Sequence, residues 1–168
     1  METAQNRNCV LNKEVIHRKM KRMALQVAEQ NSGEKELIIA GISGNGTIVA
    51  KCLMDDLDKL GNFRTTFLKI QLNKKNPVQV SLEPQTDLTD KVVVVVDDVA
   101  NTGKTMLYAL KPFLEASPKK IQTLVLVERS HKLFPVQTDY TGLSIATTLQ
   151  EHISVETEGE EIMGAWLY

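Results

Sequence analysis

The sequence predicts an α/β fold: one mostly parallel sheet flanked by helices, in a single domain covering residues 1–168. Three observations predict it. Short apolar runs alternate along the chain with longer stretches of helical spacing, the order in which helices join parallel strands. One of those runs, Val92–Val96, is five consecutive valines, a composition suited to a strand covered on both faces. The length, 168 residues, suits one domain that buries ~70% of its unfolded surface, and no linker, repeat or low-complexity segment divides it.

The elements follow in order. Val15, Ile16, Met20, Met23 and Val27 recur at helical spacing, with Asn12 placed as N-cap and Gly33 as the stop. Glu36–Ile42 (ELIIAGI) is a short buried strand, which runs through Ser43–Gly46 into a second helix, Thr47–Leu60, closed by Gly61. Thr65–Leu72 reads as a strand with Leu68, Ile70 and Leu72 on one face. Asn73 to Asp90 is polar, contains Pro77 and Pro84, and shows no period, so it is expected to be a functional or mobile loop. The valine strand is followed by a turn and a helix over Lys104–Ala116, then by a buried strand, Ile121–Glu128. Beyond Arg129 come shorter strands and turns ending in Met163–Tyr168, with Glu156–Glu161 an exposed turn between two of them.

Composition excludes several classes. Apolar residues make up 42% and charged residues 24%, with a net charge of −1. That balance argues against broad non-specific nucleic-acid binding and leaves room only for a local basic patch. Cys9 and Cys52 match no metal-ligand spacing and read as free thiols of a reducing cytoplasm. The polar start, METAQNRN, lacks a signal-peptide core, and no apolar run approaches the ~20 residues of a membrane span. A cytoplasmic protein with no membrane partner is expected. His17 and His152 lack neighbours that would make them metal ligands, so no protein metal-ligand set is expected, and Trp166 suits packing or a subunit contact.

The chemistry concentrates in Val92–Thr105, VVVVVDDVANTGKT. In an open parallel sheet, ligands gather at the carboxyl ends of strands near the point where strand order reverses. Asp97 and Asp98 stand at such an end. They are either plain acids at a strand exit, one of them capping the next turn, or acceptors for a ligand. Ala100, Asn101, Thr102, Gly103, Lys104 and Thr105 supply a tight turn, successive amides, two hydroxyls and a helix N-terminus, which suit a phosphate. Carboxylates beside a phosphate cradle suit a ligand that also carries hydroxyls, such as a ribose 5-phosphate. A nucleotide-hydrolysing P-loop fails: its first glycine would fall on Asp98, and the alternative, GISGNGT, has Thr47 where lysine belongs.

An apolar strand, two acids, three residues and Thr-Gly-Lys-Thr resemble the 5-phosphoribosyl-1-pyrophosphate (PRPP) motif of the type I phosphoribosyltransferases. LVLVERSHKLFPVQTDYTGLSIATT further resembles the PyrR-like group, pyrimidine-operon attenuation regulators that are also uracil phosphoribosyltransferases. AGISGNGTIVA takes the place of that group's pyrophosphate loop. The resemblance implies the type I phosphoribosyltransferase fold, with a small hood of short strands and a flexible loop. It implies that Asp97 and Asp98 hold ribose hydroxyls, that Ala100–Thr105 wraps the 5-phosphate, and that Ser43, Gly44, Asn45 and Gly46 bind pyrophosphate. Mg2+ would be held mainly through PRPP and water. Lys74 would act from the flexible loop, where the group carries arginine.

Base recognition would lie around Glu128, Tyr140 and Thr141. Tyr140 is a stacking residue or, equally, a core aromatic. Glu128 replaces the lysine of purine-salvage relatives and leans toward uracil over hypoxanthine. Two departures stand out: Asn45 replaces an arginine, and Asn101 replaces an aspartate or tyrosine. The implied activity is transfer of phosphoribosyl from PRPP to a nucleobase. The alternatives are an RNA-binding regulator of pyrimidine genes, using the basic stretch His17–Arg22 with Arg129, His131 and Lys132, and a family member that binds PRPP or a nucleotide with weak or no catalysis. That basic stretch is otherwise a solvated helix face. A homodimer or higher oligomer also follows from the resemblance.

Overall fold

The computed structural model describes residues 7–168. Most of the polar start read as lacking a signal-peptide core lies outside that range. The chain runs β1 (Asn8–Asn12), α1 (Lys13–Gln30), β2 (Glu36–Ile42), α2 (Asn45–Leu60), β3 (Arg64–Leu72), β4 (Val80–Glu83) and β5 (Val92–Ala100). It continues as α3 (Lys104–Ala109), α4 (Lys111–Leu114), β6 (Lys120–Arg129), β7 (Tyr140–Ile145), β8 (Ile153–Glu158) and β9 (Glu161–Leu167). Six strands form one sheet in the order β4-β3-β2-β5-β6-β7, parallel except for β4 at one edge. A second, antiparallel sheet, β1-β9-β8, forms the hood.

The valine run explains the layering. Successive strand residues face opposite sides, so Val92, Val94 and Val96 pack with α1 and α2, whereas Val93 and Val95 pack with Met106, Ala109 and Phe113. A strand buried on both faces has no position for a polar side chain until it leaves the helices that cover it. α1 starts as expected: the Asn12 side chain accepts the Val15 N–H at 2.9 Å. It stops earlier than the Gly33 signal, at Gln30, because Asn31 turns back, its N–H donating to Ala28 O and its side chain donating to Val27 O.

Three expectations change. The stretch read as an unstructured loop contains β4, which pairs antiparallel with β3 from Lys69↔Glu83 to Leu72↔Val80. An edge strand with alternating half-burial leaves too weak a period to read over four residues. The helix expected over Lys104–Ala116 breaks at Leu110, where Pro112 in the following turn offers no N–H to continue the ladder. β1, to which the sequence reading assigned no element, is a strand because β9 offers it an edge. Near it the Arg7 guanidinium lies 4.2 Å over the Trp166 ring and pairs with Glu156, so Trp166 is used in packing.

β7 approaches β6 closely enough that a Cβ at Gly142 would collide with the Leu126 carbonyl oxygen, whereas Gly33 faces open space. Gly142→Ala is expected to lower unfolding free energy by about 3 kcal/mol and Gly33→Ala to change it by less than about 0.5 kcal/mol. Urea unfolding of the two variants checks this.

Candidate active site

Strand order reverses between β2 and β5: from β2 the chain passes to β3 on one side and later returns to β5 on the other. The crevice at a reversal opens beyond the carboxyl ends of the two strands. Asp97 and Asp98 lie there, 2% and 8% exposed. They stand toward the carboxyl end of β5, as expected, with Val99 and Ala100 still in the strand after them. Pairing with β2 stops at Gly41↔Val96, while pairing with β6 continues to Ala100↔Glu128. β2 turns away into α2, so β5 keeps one partner and the acids emerge on the released side.

A cavity of about 300 Å³ opens over them. It brings together Asp97, Asp98, Asn45, Lys74, Ala100, Asn101, Thr102, Gly103 and Thr105, with Ile153–Val155 of β8 as its remaining wall. The acid pair and the bend after it therefore share one chamber. Gly103 sits at φ 85, and a Cβ there would stand 2.8 Å from Val136 Cγ1, so only glycine fits the turn. Thr102 O accepts the N–H groups of Leu133 and Phe134 at 2.9 and 3.0 Å, which clamps the bend to the next loop. The helix behind it, α3, is only six residues, so what the bend offers an anion is local amides and hydroxyls more than a long helix dipole. Lys104 belongs to α3 and lies off the cavity lining.

Asn45, the first residue of α2, uses its whole amide. Its Nδ2 donates to Asp98 Oδ2 at 3.2 Å and to Val155 O at 2.9 Å, and its Oδ1 accepts the Thr157 hydroxyl at 3.1 Å. It ties the acid pair to the hood. Gly46 lies against Asp97: a Cβ there would come within 2.9 Å of Asp97 Oδ1. Ser43 anchors the loop to β3, donating from N to Ile70 O at 2.9 Å and from Oγ to Leu72 O at 3.3 Å, and Gly44 faces open space; neither lines the cavity. Lys74 Nζ stands 3.2 Å from Asp97 Oδ1 and 3.6 Å from Asp98 Oδ1.

The electrostatics follow from burial. Loss of water, and then the neighbouring Asp98, push the Asp97 carboxyl up to about 8, against the opposing pull of Lys74. For Lys74, burial works downward, but the two acids outweigh it and hold its ammonium above the usual range.

The expected base-reading residues are not brought to this chamber. Tyr140 is 4% exposed, its ring packed in the core on the α1 side. Thr141 shares a hydroxyl hydrogen bond with Thr138 at 2.7 Å, and its carbonyl accepts Arg22 at 2.7 Å. Glu128 accepts from Lys132 Nζ at 2.8 Å and from the Thr138 hydroxyl at 2.5 Å. Burial works upward on its carboxyl, but those donors prevail and hold it below the usual carboxylate range. Ile153, Ser154 and Val155 of β8 line the chamber instead. Their alternation marks a strand but gives no sign of what it covers.

Much of the basic stretch is also committed to the fold. Lys19 donates to Gly142 O at 2.8 Å and Arg22 to Thr141 O, both on β7, while Arg129 donates to Glu151 O at 2.6 Å.

Mg2+ fits on restricted terms. Among the described residues no cluster of three or more His, Cys, Asp or Glu forms a cage, but two adjacent carboxylates suit an ion that keeps several waters and ligand oxygens. Asn101 lines the same cavity, and its buried Oδ1 has no hydrogen-bond partner among the described residues.

A model of the phosphoribosyl transferase domain matches residues 8–158. The chain belongs to the phosphoribosyltransferase family. Within that family it is similar to proteins named bifunctional protein PyrR. The PyrR of Bacillus pumilus is 32% identical over 159 residues, covering 88% of each chain, and that of Clostridium acetobutylicum 31% identical over 160 residues, covering 89% and 90%. Among solved structures, the hypoxanthine phosphoribosyltransferase of Trypanosoma cruzi superposes with a TM-score of 0.75 at 16% identity, over 93% of each chain. That of Staphylococcus aureus gives 0.72 at 16%, over 87% and 80%. These two establish the type I phosphoribosyltransferase fold. Among the described residues no helix is long and apolar enough to cross a membrane.

The raised Asp97 carboxyl makes stability depend on pH. Between its ordinary 3.8 and about 8 the folded chain holds a proton that the unfolded chain releases. The contribution is therefore complete below about pH 4 and is lost as pH rises to about 8. Urea unfolding from pH 5 to 8 is expected to show wild type weakening relative to Asp97→Asn; parallel curves would refute the assignment.

Proposed function

We propose that this phosphoribosyltransferase-family protein transfers the phosphoribosyl group of PRPP to a nucleobase, with Mg2+, releasing pyrophosphate. The observation that carries this reading is the shared chamber of the acid pair Asp97–Asp98 and the bend Ala100–Thr105. Paired carboxylates accept hydrogen bonds from ribose hydroxyls, while amides and hydroxyls of the bend take the 5-phosphate.

In the reaction the bond from C1 of the ribose to pyrophosphate oxygen breaks, a bond from C1 to a base nitrogen forms, and the base loses its N–H proton. Positive charge gathers on the sugar, and the buried acid pair would stabilise it. Asp97 and Asp98 would hold Mg2+ where it meets the ligand, and the ion supplies charge neutralisation for the departing pyrophosphate. The resemblance would set that leaving group at Ser43–Gly46, where β2 passes into α2. Asn45, its amide committed to Asp98, Val155 O and Thr157, brings no cation there. Closure of the segment after β3 would exclude water from the reactive sugar.

Ile153 and Val155 offer an apolar wall for the face of a flat base, and Ser154 lies between them. What supports uracil is the similarity to the PyrR-like group; Glu128, already engaged by Lys132, adds nothing to the choice. The internal contacts of Lys19, Arg22 and Arg129 leave RNA binding the weaker reading.

Mg2+-PRPP at ~100 times its dissociation constant is expected to stabilise the protein by about 2.7 kcal/mol, read as a rise of several degrees in Tm. Pyrophosphate release is then expected with uracil ahead of hypoxanthine and guanine. A PRPP-dependent shift with silence from every base would leave a binding protein without turnover. Absence of any shift would refute the reading.

A further inference from the structure

Lys74 follows β3 by two residues, in a turn closed by the Asn76 N–H on Asn73 O at 3.1 Å and the Lys75 N–H on Asn73 Oδ1 at 3.0 Å. The turn delivers one ammonium to both carboxylates, 3.2 Å from Asp97 and 3.6 Å from Asp98. The side chain of Lys74 is 44% exposed, while those of the acids are 3% and 12% exposed. The lysine therefore reaches in from solvent and can withdraw without disturbing the core.

From this geometry we infer that Lys74 is a specificity-determining lock. Its ammonium occupies the acid pair and yields only to a ligand that brings a second anionic group beside its hydroxyls. The inference rests on the function proposed above and adds a selection rule to it. A ligand whose hydroxyls are to reach Asp97 and Asp98 must displace the ammonium. Neutral hydroxyls replace its hydrogen bonds but not its charge, and a buried carboxylate without a counter-charge is costly. A plain sugar phosphate seats its only anion at the Ala100–Thr105 bend and leaves the displaced lysine unpaired. A sugar phosphate with pyrophosphate on the anomeric carbon gives the lysine a new partner on the opposite side of the sugar. A bare divalent cation supplies charge to the acids but meets the ammonium already there. The lock thus favours the pyrophosphorylated sugar over a plain sugar phosphate and over metal alone.

Isothermal titration on the full chain tests this with three probes: ribose 5-phosphate, Mg2+-PRPP and Mn2+ alone. Wild type, Lys74→Met and Lys74→Arg are compared, with Lys74→Gln as a second neutral variant. The neutral variants are expected to bind ribose 5-phosphate and Mn2+ on the order of ten-fold more tightly than wild type, and PRPP on the order of ten-fold more weakly. Lys74→Arg should keep the wild-type order of preference. If wild type binds PRPP but neither neutral variant gains affinity for ribose 5-phosphate or Mn2+, the lock is refuted and the proposed function stands. If wild type binds no PRPP, both fall.

Discussion

Two adjacent carboxylates buried toward the end of a valine-rich strand set the terms for everything around them. A buried acid is costly unless it is neutralised or hydrogen-bonded, and this chain applies both remedies. Asp97 Oδ1 accepts the Asp98 N–H and Asp98 Oδ1 accepts the Val99 N–H, both at 2.9 Å, while the Asn45 amide reaches Asp98 from α2. Lys74 supplies a cation. A proton held by Asp97 near neutrality removes part of the remaining charge. The partners come from the start of α2 just beyond β2, the turn after β3 and β5 itself, so the pair draws the carboxyl ends of three neighbouring strands together.

The hood answers to the same constraint. β8 is far from β5 in sequence, yet Val155 O and the Thr157 hydroxyl complete the hydrogen bonds of Asn45. One amide therefore connects the acids to the second sheet and fixes the height of the chamber roof. The resemblance places an arginine at this position. An arginine would bring charge to the leaving-group side, but it carries no acceptor for the Thr157 hydroxyl. In this chain, the residue at position 45 joins the two sheets, and Lys74 is the cation beside the acids.

The far edge of the sheet shows how a surface pattern can mislead. His17–Arg22 looks like a polyanion site, yet Lys19 and Arg22 lie across β7 and donate hydrogen bonds to its carbonyls. An edge strand presents unpaired backbone groups, and long cationic side chains from a neighbouring helix satisfy two of them here. Burial and the nearby Arg22 hold the Lys19 ammonium below its usual range, as suits a lysine used as a structural donor.

The sequence by itself determined the parts governed by local pattern. These are the doubly buried valine strand, the Asn12 cap, the Gly61 stop and the pairing of Asp97–Asp98 with a glycine bend. Each depends on residues within a few positions, where side-chain period and backbone freedom act directly. Only the tertiary structure decided what depends on a partner distant in the chain. β4 exists because β3 offers it an edge, and Tyr140 is a core aromatic because α1 covers it. Glu128 is occupied because Lys132 and Thr138 turn back on it, and the chamber wall is Ile153–Val155 because the hood folds over the acids. A local pattern records which face of an element is apolar; it carries no record of which distant element will cover that face.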